Sequence, residues 1–376
     1  MVALQTRTPA RNPAFVEERK YPLEERKYPL GERKYPLEER NWARPETLER
    51  KRTTPSLCIT SHVARGRRLG RSMLINDGLP FHSGEALDHF ASKRAFHEAH
   101  RVGRLRWIAY ALSIDAGVPD SPSVRARAAR LVVPDHAVAS DDYAAFVLGA
   151  DTRSPGHRWE QRPMYLVQHT RYRSAPGYAR VRQSNHIPDD DVMEISGLRL
   201  TTPLRTASDL LRLRKRPYAL AAADAMAFAH LIQPDDLCSY ITNLSRLPGL
   251  RQAQELAVRV THLAESHGES WQRCRILDAG FPRPTLQYPV FDSYGVERRL
   301  DMAYEGLLTA SEYDGREFHT AESDRASDQA RRSDLAGRLG WRFSIGTYER
   351  IFGSSTAFED ELGGFLGQAP LPRTWR

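Results

Sequence analysis

The sequence predicts a mixed α/β fold divided among several domains. The chain has 376 residues, which at roughly 150 residues per domain is enough for two or three. Helical and strand-like patterns alternate from Phe81 onward, and the last third has the order helix, three strands, helix, strand. That order indicates a mixed sheet flanked by helices.

The N-terminal segment has a composition unlike the rest of the chain. A heptad that begins ERKYPL occurs three times between residues 18 and 38, and each copy contains a proline. Interior prolines cost a helix about 3 kcal/mol each, which disfavours a coiled coil. We predict a disordered charged tract over residues 1–72, with Met73 as an alternative start to Met1.

Composition excludes several classes of protein. The most apolar stretch, 218–232, is about fifteen residues long and contains Asp224 and His230, so it is too short and too polar to span a bilayer. The N-terminus lacks the apolar core of a signal peptide. Three widely spaced cysteines indicate neither a disulfide framework nor a structural zinc site. We therefore expect a cytoplasmic protein that does not enter membranes.

A winged-helix-like module is predicted over residues 73–118. Residues 83–90 and 92–102 have the pattern of two short helices, and 104–112 that of a strand. Helix, turn, helix and strand in this order are the outline of a winged helix, whose second helix faces a DNA groove.

Basic residues cluster in and before this module. The second helix carries Lys93, Arg94 and Arg101, and the stretch from Arg50 to Arg106 holds twelve basic and four acidic residues. Such an excess favours contact with DNA phosphates. A charged helical hairpin that packs on the next domain explains the same pattern equally well.

Residues 119–245 are predicted to form a central α/β domain, joined to the last third by a connecting helix over 246–264. One helix is expected after Ser140, and another at Thr202-Pro203, where a capping hydroxyl precedes proline. The acidic run 189–191 is expected to be a solvated turn. No catalytic constellation is evident in this region.

The last third, 265–368, contains the candidate catalytic and metal-binding residues. If its second and third strands pair around a turn between Gly306 and Leu307, residues whose numbers sum to 613 lie opposite, and Asp301 faces Glu312. Their Cβ atoms would be about 5 Å apart, where like charges repel.

A cation between these carboxylates would remove the repulsion. Asp314 lies two residues beyond Glu312 and so shares its face. We predict Mg²⁺, or Mn²⁺, with Asp301 and Glu312 as ligands. The alternative is an acidic surface hairpin with a different register.

Three further residues are candidates for phosphate chemistry. His319 could be a general base, a phosphate contact or a residue next to the metal. Arg331 and Arg332, on the following helix, form either surface ion pairs or a phosphate clamp.

Part of the last third resembles a nuclease family. The segments that carry the resemblance are ESWQR (269–273), LDMAY (300–304), SEYDGREFH (311–319), DQARR (328–332) and LGWRF (339–343). They are similar to the very-short-patch-repair-like endonuclease domain of unknown function, in the PD-(D/E)XK restriction-endonuclease-like superfamily. The resemblance implies acidic site residues at Glu269, Asp301 and Glu312 and the family histidine at His319. Asp314, also a catalytic candidate, stands where the wider superfamily has lysine.

The middle of the chain resembles a different family. Its segments are LVVPDHAVASDDYAA (131–145), NHIP (185–188), DV (191–192), GLRLTTPLRTASDLL (197–211) and AAAD (221–224). They are similar to AbiEi-type antitoxins of type IV toxin–antitoxin systems, in which a winged-helix domain precedes an α/β domain. This resemblance implies a toxin or regulatory partner.

Two functions follow from these observations. The leading hypothesis is a Mg²⁺-dependent endonuclease that hydrolyses phosphodiester bonds in DNA. The alternative is a DNA-binding transcriptional regulator or antitoxin of a type IV system, with an inactive nuclease fold. DNA is a partner in both, and the sequence does not indicate an oligomeric state.

Overall fold

The structure of the protein, a computed structural model, describes residues 74–153, 162–168, 179–184, 187–315 and 322–375. The predicted tract 1–72, Met73 and His319 lie outside these ranges. Within them the chain forms three sheets and twelve α helices. The predicted mixed α/β class is confirmed at this level.

The first sheet has three short strands and packs on two helices. The elements are β1 (Phe81–His82), α1 (Ala86–His89), α2 (Lys93–Arg101), β2 (Leu105–Ala109) and β3 (Leu112–Asp115), and the strand order is β1-β3-β2. Helix α2 begins where Ser92 Oγ accepts a hydrogen bond from the Ala95 amide at 3.1 Å. Its Phe96 and Ala99 are buried, so the opposite face of α2 remains exposed.

The predicted strand 104–112 is wrong in extent, because the chain reverses inside it. Strands β2 and β3 are antiparallel and meet at Tyr110-Ala111. Ala111 has φ of 59°, a left-handed conformation that side chains other than Gly and Asn rarely adopt. Because alanine is not a typical turn residue, the sequence gives no indication of a turn here and the strand pattern extends across the hairpin.

The second sheet belongs to the central domain and has the strand order β6-β5-β4-β8-β7. The elements are α3 (Pro122–Ala129), β4 (Val138–Ala139), α4 (Asp141–Leu148), β5 (Met164–Gln168), β6 (Arg180–Ser184), β7 (Val192–Ile195) and β8 (Leu198–Thr201). Helix α4 follows Ser140 as predicted and ends at Gly149, whose φ is 113°. Strands β5 and β6 pair in parallel, with Met164 opposite Arg180.

Five helices follow this sheet: α5 (Pro203–Leu213), α6 (Arg216–Phe228), α7 (Pro234–Thr242), α8 (Leu250–Ala257) and α9 (His267–Asp278). Helix α5 begins at Pro203, as predicted, but the Thr202 side chain makes no capping hydrogen bond, so that part of the prediction is wrong. Helix α9 packs along α6, and its Cys274 is buried in the same apolar cluster as Leu220 and Leu256. The start of the last third therefore shares a core with the central helices.

The third sheet has the order β12-β11-β10-β9, with β11 and β12 parallel and the other pairs antiparallel. The elements are β9 (Thr285–Phe291), β10 (Glu297–Tyr304), β11 (Thr309–Asp314), α10 (Glu322–Leu339), β12 (Arg342–Thr347), α11 (Tyr348–Phe352) and α12 (Ala357–Leu366). The predicted order of helix, three strands, helix and strand is present. No helix in the described part of the chain is both long and apolar enough to cross a membrane.

Candidate functional site

The pairing of β10 with β11 brings the predicted carboxylates together. Met302 pairs with Ser311, and Tyr304 with Thr309, so the numbers of paired residues sum to 613 as predicted. Continuing this register by one pair sets Asp301 opposite Glu312. The Tyr313 amide donates to Asp301 Oδ2 at 3.0 Å, which fixes the Asp301 side chain against β11.

Glu312 is bound by two arginines of α10. Its side chain is 3% exposed. Arg331 Nη1 and Nη2 donate to its two oxygens at 3.0 Å each, and Arg332 Nε donates to Oε2 at 2.7 Å. Bidentate, charge-assisted contacts of this kind are among the stronger hydrogen bonds in proteins. The two arginines that the sequence offered as phosphate ligands are thus engaged with a carboxylate.

Asp314 lies at the open end of the same face. Its side chain is 38% exposed, and Arg332 Nη1 lies 3.7 Å from Asp314 Oδ2. Arg332 therefore contacts both Glu312 and Asp314, as expected for residues two apart on one strand.

Asp301 has an unusual protonation equilibrium. Burial and the neighbouring charges of Glu269 and Glu312 raise the pKa of Asp301 to about 7, while the Tyr313 amide and Arg331 lower it. The ordinary aspartate pKa is about 3.9. A carboxyl group that titrates near neutrality beside other carboxylates is a candidate for acid–base chemistry.

Glu269 has a structural role as well as a place beside Asp301. Ser266 Oγ accepts a hydrogen bond from the Glu269 amide at 3.1 Å, and Glu269 Oε2 accepts from the Glu265 amide at 3.0 Å. Gln287 Nε2 also donates to Glu269, at 3.3 Å. These contacts cap the N-terminus of α9. Burial nevertheless raises the pKa of Glu269.

The residues do not fit a divalent cation in this arrangement. Both Glu312 oxygens are held by guanidinium groups, and the ranges that the structure describes contain no group of three or more His, Cys, Asp or Glu placed to hold a metal ion. His319 lies outside those ranges. Binding of Mg²⁺ or Mn²⁺ by Asp301 and Glu312 remains a prediction.

The basic residues predicted to bind DNA lie on the exposed face of α2. Lys93 and Arg94 are exposed. Arg101 is 73% exposed and donates to Glu98 through Nε at 2.8 Å and Nη2 at 2.6 Å. Exposed ion pairs of this type contribute little to stability, so Arg101 can exchange Glu98 for another anion.

A second cluster of charges, which the sequence reasoning missed, lies inside the central domain. Arg205 Nε donates to Asp209 Oδ1 at 3.0 Å, and Arg205 Nη1 donates to Asp191 Oδ2 at 2.7 Å. The Tyr240 hydroxyl donates to the other Asp191 oxygen at 2.6 Å. Asp191 is 7% exposed, so the expectation of a solvated turn is wrong for this residue, although Asp189 and Asp190 are exposed.

Two more arginines complete this cluster. Arg182 Nη2 lies 3.2 Å from both Asp141 and Asp209, and Arg212 Nη2 donates to Asp209. We call the set Asp141, Arg182, Asp191, Arg205, Asp209, Arg212 and Tyr240 the buried arginine network. Buried charges are tolerated when each has an oppositely charged partner and satisfied hydrogen bonds. The motif TTPLRTASD could have signalled it, since Arg205 and Asp209 are one helical turn apart.

A cleft of about 510 Å³ opens beside the network. Its polar wall includes Asp190, Asp191, Asp236 and Tyr240, and its apolar wall includes Leu204. Both surface carboxylates and members of the buried arginine network therefore line the cleft.

Comparison with known protein families finds a match for the central domain. Residues 137–258 match the AbiEi antitoxin C-terminal domain. All seven residues of the buried arginine network lie within this AbiEi-like domain, whereas Glu269, Asp301 and Glu312 lie outside it.

The chain is also similar to two uncharacterized proteins of Mycobacterium tuberculosis, from strains CDC 1551 and H37Rv. Each is 31% identical over 150 residues, which is 40% of this chain and 55% of the relative. The chain therefore spans about half the length of the curated relatives it matches. The match to the AbiEi antitoxin C-terminal domain covers residues 137–258 of the 376.

Proposed function

We propose that the protein is an AbiEi-type antitoxin-like regulator that acts with a toxin or another regulatory partner. The observation that carries the proposal is the match of residues 137–258 to the AbiEi antitoxin C-terminal domain. Arg205 and Asp209 of its TTPLRTASD segment hydrogen-bond to each other, and Arg205 also donates to Asp191, so this motif has a structural role inside the matched region.

DNA binding by the N-terminal module is part of this proposal. The strand order β1-β3-β2 and the position of α2 between β1 and the β2–β3 hairpin support a winged-helix-like arrangement. Its second helix would then face the DNA groove. The exposed Lys93, Arg94 and Arg101 lie on that helix and would contact phosphates.

The DNA-binding part is tested with the full chain and the DNA upstream of its own reading frame. Fluorescence anisotropy at two salt concentrations should show an affinity that falls steeply with salt, because phosphate contacts release counterions. The double variant Lys93→Ala, Arg94→Ala should weaken binding about tenfold or more and reduce the salt dependence. Arg127→Ala, an exposed arginine on α3, is the matched control. Equal affinities of the variant and the control would reject α2 as the contact surface.

The antitoxin part is tested by co-expression with a toxin-like reading frame adjacent to the gene. The full chain should restore growth, and so should the Lys93→Ala, Arg94→Ala variant if DNA binding and neutralisation are separate functions of separate domains. Growth arrest that persists with the folded wild-type chain would reject the antitoxin assignment.

A second candidate function is cleavage of DNA phosphodiester bonds by the C-terminal sheet. The specific observation in its favour is the raised pKa of Asp301, about 7, beside Glu269 and Glu312. The arginines on Glu312 count against it. Incubation of plasmid DNA with the protein and Mg²⁺ or Mn²⁺ is the test: an absence of nicking, or nicking that survives Glu312→Ala, would remove this candidate.

A further inference from the structure

The carboxylates of the β10–β11 hairpin need a positive charge close by. Asp301 and Glu312 lie on facing positions, and Asp314 continues the same face. Their neighbours Met302, Ala303 and Ala310 are buried and apolar, so solvent screens the carboxylates poorly. The sequence alone pointed to a divalent cation here.

Helix α10 supplies positive charge at this place. Arg331 and Arg332 are adjacent in sequence, yet both guanidinium groups converge on Glu312, with three hydrogen bonds of 2.7–3.0 Å. Each arginine side chain is 17% exposed, so the contact is shielded from water. Arg332 extends the neutralisation to Asp314 at 3.7 Å.

We propose that Arg331 and Arg332 take the place of a divalent cation at Glu312 and that this internal latch keeps metal out of the carboxylate cluster. A divalent ion coordinates through carboxylate oxygens and requires lone pairs that point to it. Here Glu312 Oε1 accepts one hydrogen bond and Oε2 accepts two. The two arginines also carry the same total charge as one Mg²⁺ ion, so they neutralise the carboxylates as an ion would and compete with it for the lone pairs of Glu312.

The latch explains why the cluster differs from a metal site in spite of its residue types. A carboxylate that binds a metal ion offers its oxygen lone pairs to that ion, whereas both oxygens of Glu312 accept hydrogen bonds from guanidinium groups. Asp301 accepts a hydrogen bond from the Tyr313 amide. The positive charge of Arg331, which is bound to Glu312, also acts on Asp301 and lowers its pKa.

The test is the binding of Mn²⁺ to the full chain, measured by isothermal titration calorimetry and by electron paramagnetic resonance of the free ion. The double variant Arg331→Gln, Arg332→Gln should bind Mn²⁺ at least tenfold more tightly than the wild type. Adding Glu312→Gln to the double variant should abolish the gain. The exposed Arg338→Gln on the same helix, 60% exposed, should behave as the wild type.

Two outcomes would overturn the latch: equal Mn²⁺ affinity of the wild type and the double variant, or a gain that remains after Glu312→Gln. If the double variant does not fold, the single variant Arg332→Gln replaces it, because the bidentate Arg331 contact is retained. That variant should still bind Mn²⁺ more tightly than Arg338→Gln, and equal affinities would overturn the latch. None of these results depends on the antitoxin function, because only α10 and the third sheet are altered.

Discussion

The buried arginine network and the β10–β11 carboxylate cluster use the same residue types with different charge balance. In the network, three aspartates contact three arginines, and Asp209 alone contacts Arg182, Arg205 and Arg212. In the cluster, the two arginines of α10 contact Glu312 and Asp314, whereas Asp301 accepts a hydrogen bond from the Tyr313 amide and Glu269 accepts one from Gln287. Burial and the neighbouring carboxylates raise the pKa of Asp301 to about 7.

This difference separates a structural role from a chemical one. A buried set of ion pairs with equal numbers of positive and negative charges holds the surrounding helices and strands in place. The folded domain loses stability when one member of the set is removed. A cluster with an uncompensated carboxyl group changes its protonation near neutral pH. The network should therefore be sensitive to mutation and the cluster to pH.

The largest expected effect is at the centre of the network. Asp209→Ala leaves three arginines without their shared acceptor in the interior, so we expect a loss of about 3–5 kcal/mol in the free energy of unfolding, measured by urea denaturation. Asp189→Ala, an exposed aspartate of the same domain, should change it by less than about 0.5 kcal/mol. Similar losses of stability in both variants would contradict the structural role of the buried arginine network.

A smaller loss is expected in the cluster. Glu312→Ala removes the acceptor of Arg331 and Arg332, but these side chains, each 17% exposed, are less deeply buried than Arg205 and Arg212 at 7% and 4%. They can turn toward water once Glu312 is absent. We expect a loss of about 2 kcal/mol in thermal or urea unfolding, less than for Asp209→Ala. Glu297→Ala, exposed on β10, is the control. A loss for Glu312→Ala that exceeds that for Asp209→Ala would contradict the assignment of roles.

The smallest expected effect is on the pH dependence of stability, which tests directly whether Asp301 of the cluster titrates near neutral pH. The folded chain holds the Asp301 proton up to a pKa of about 7, whereas the unfolded chain releases it near pH 3.9. Because the folded state binds more protons in this window, the stability contributed by Asp301 is lost as pH rises from about 4 through 7.

The variant Asp301→Asn removes this titration. Chemical denaturation should find that the stability of this variant relative to the wild type rises by about 1–2 kcal/mol between pH 6 and pH 8, because asparagine stays neutral while Asp301 ionises. Glu297→Gln should follow the wild-type pH profile. An Asp301→Asn profile parallel to that of the wild type would show that Asp301 is not the titrating group.

The sequence predicted the elements of the third sheet and the register of its hairpin well. A short turn after Tyr304 leaves few ways to pair the two strands, so Asp301 and Glu312 could be set face to face by arithmetic. The same reasoning could not show that the intervening cation is Arg331, because that depends on how α10 packs on the sheet.

The buried arginine network was missed for a related reason. The contact of Arg182 with Asp209 joins residues 27 positions apart, and that of Tyr240 with Asp191 joins residues 49 apart. Local patterns show only the one-turn spacing of Arg205 and Asp209. The β2–β3 hairpin was missed because Ala111 adopts a left-handed conformation without the usual turn residues.

One measurement tests the central claim that the chain is a DNA-binding, antitoxin-like regulator whose carboxylate cluster is closed by its own arginines. A supercoiled plasmid that carries the DNA upstream of the gene is incubated with the full chain and Mn²⁺, and then analysed by native gel and, after removal of protein, for nicks. We predict a plasmid that is retarded on the native gel and intact after protein removal. Nicking by the wild type that is lost in Glu312→Ala would contradict the account.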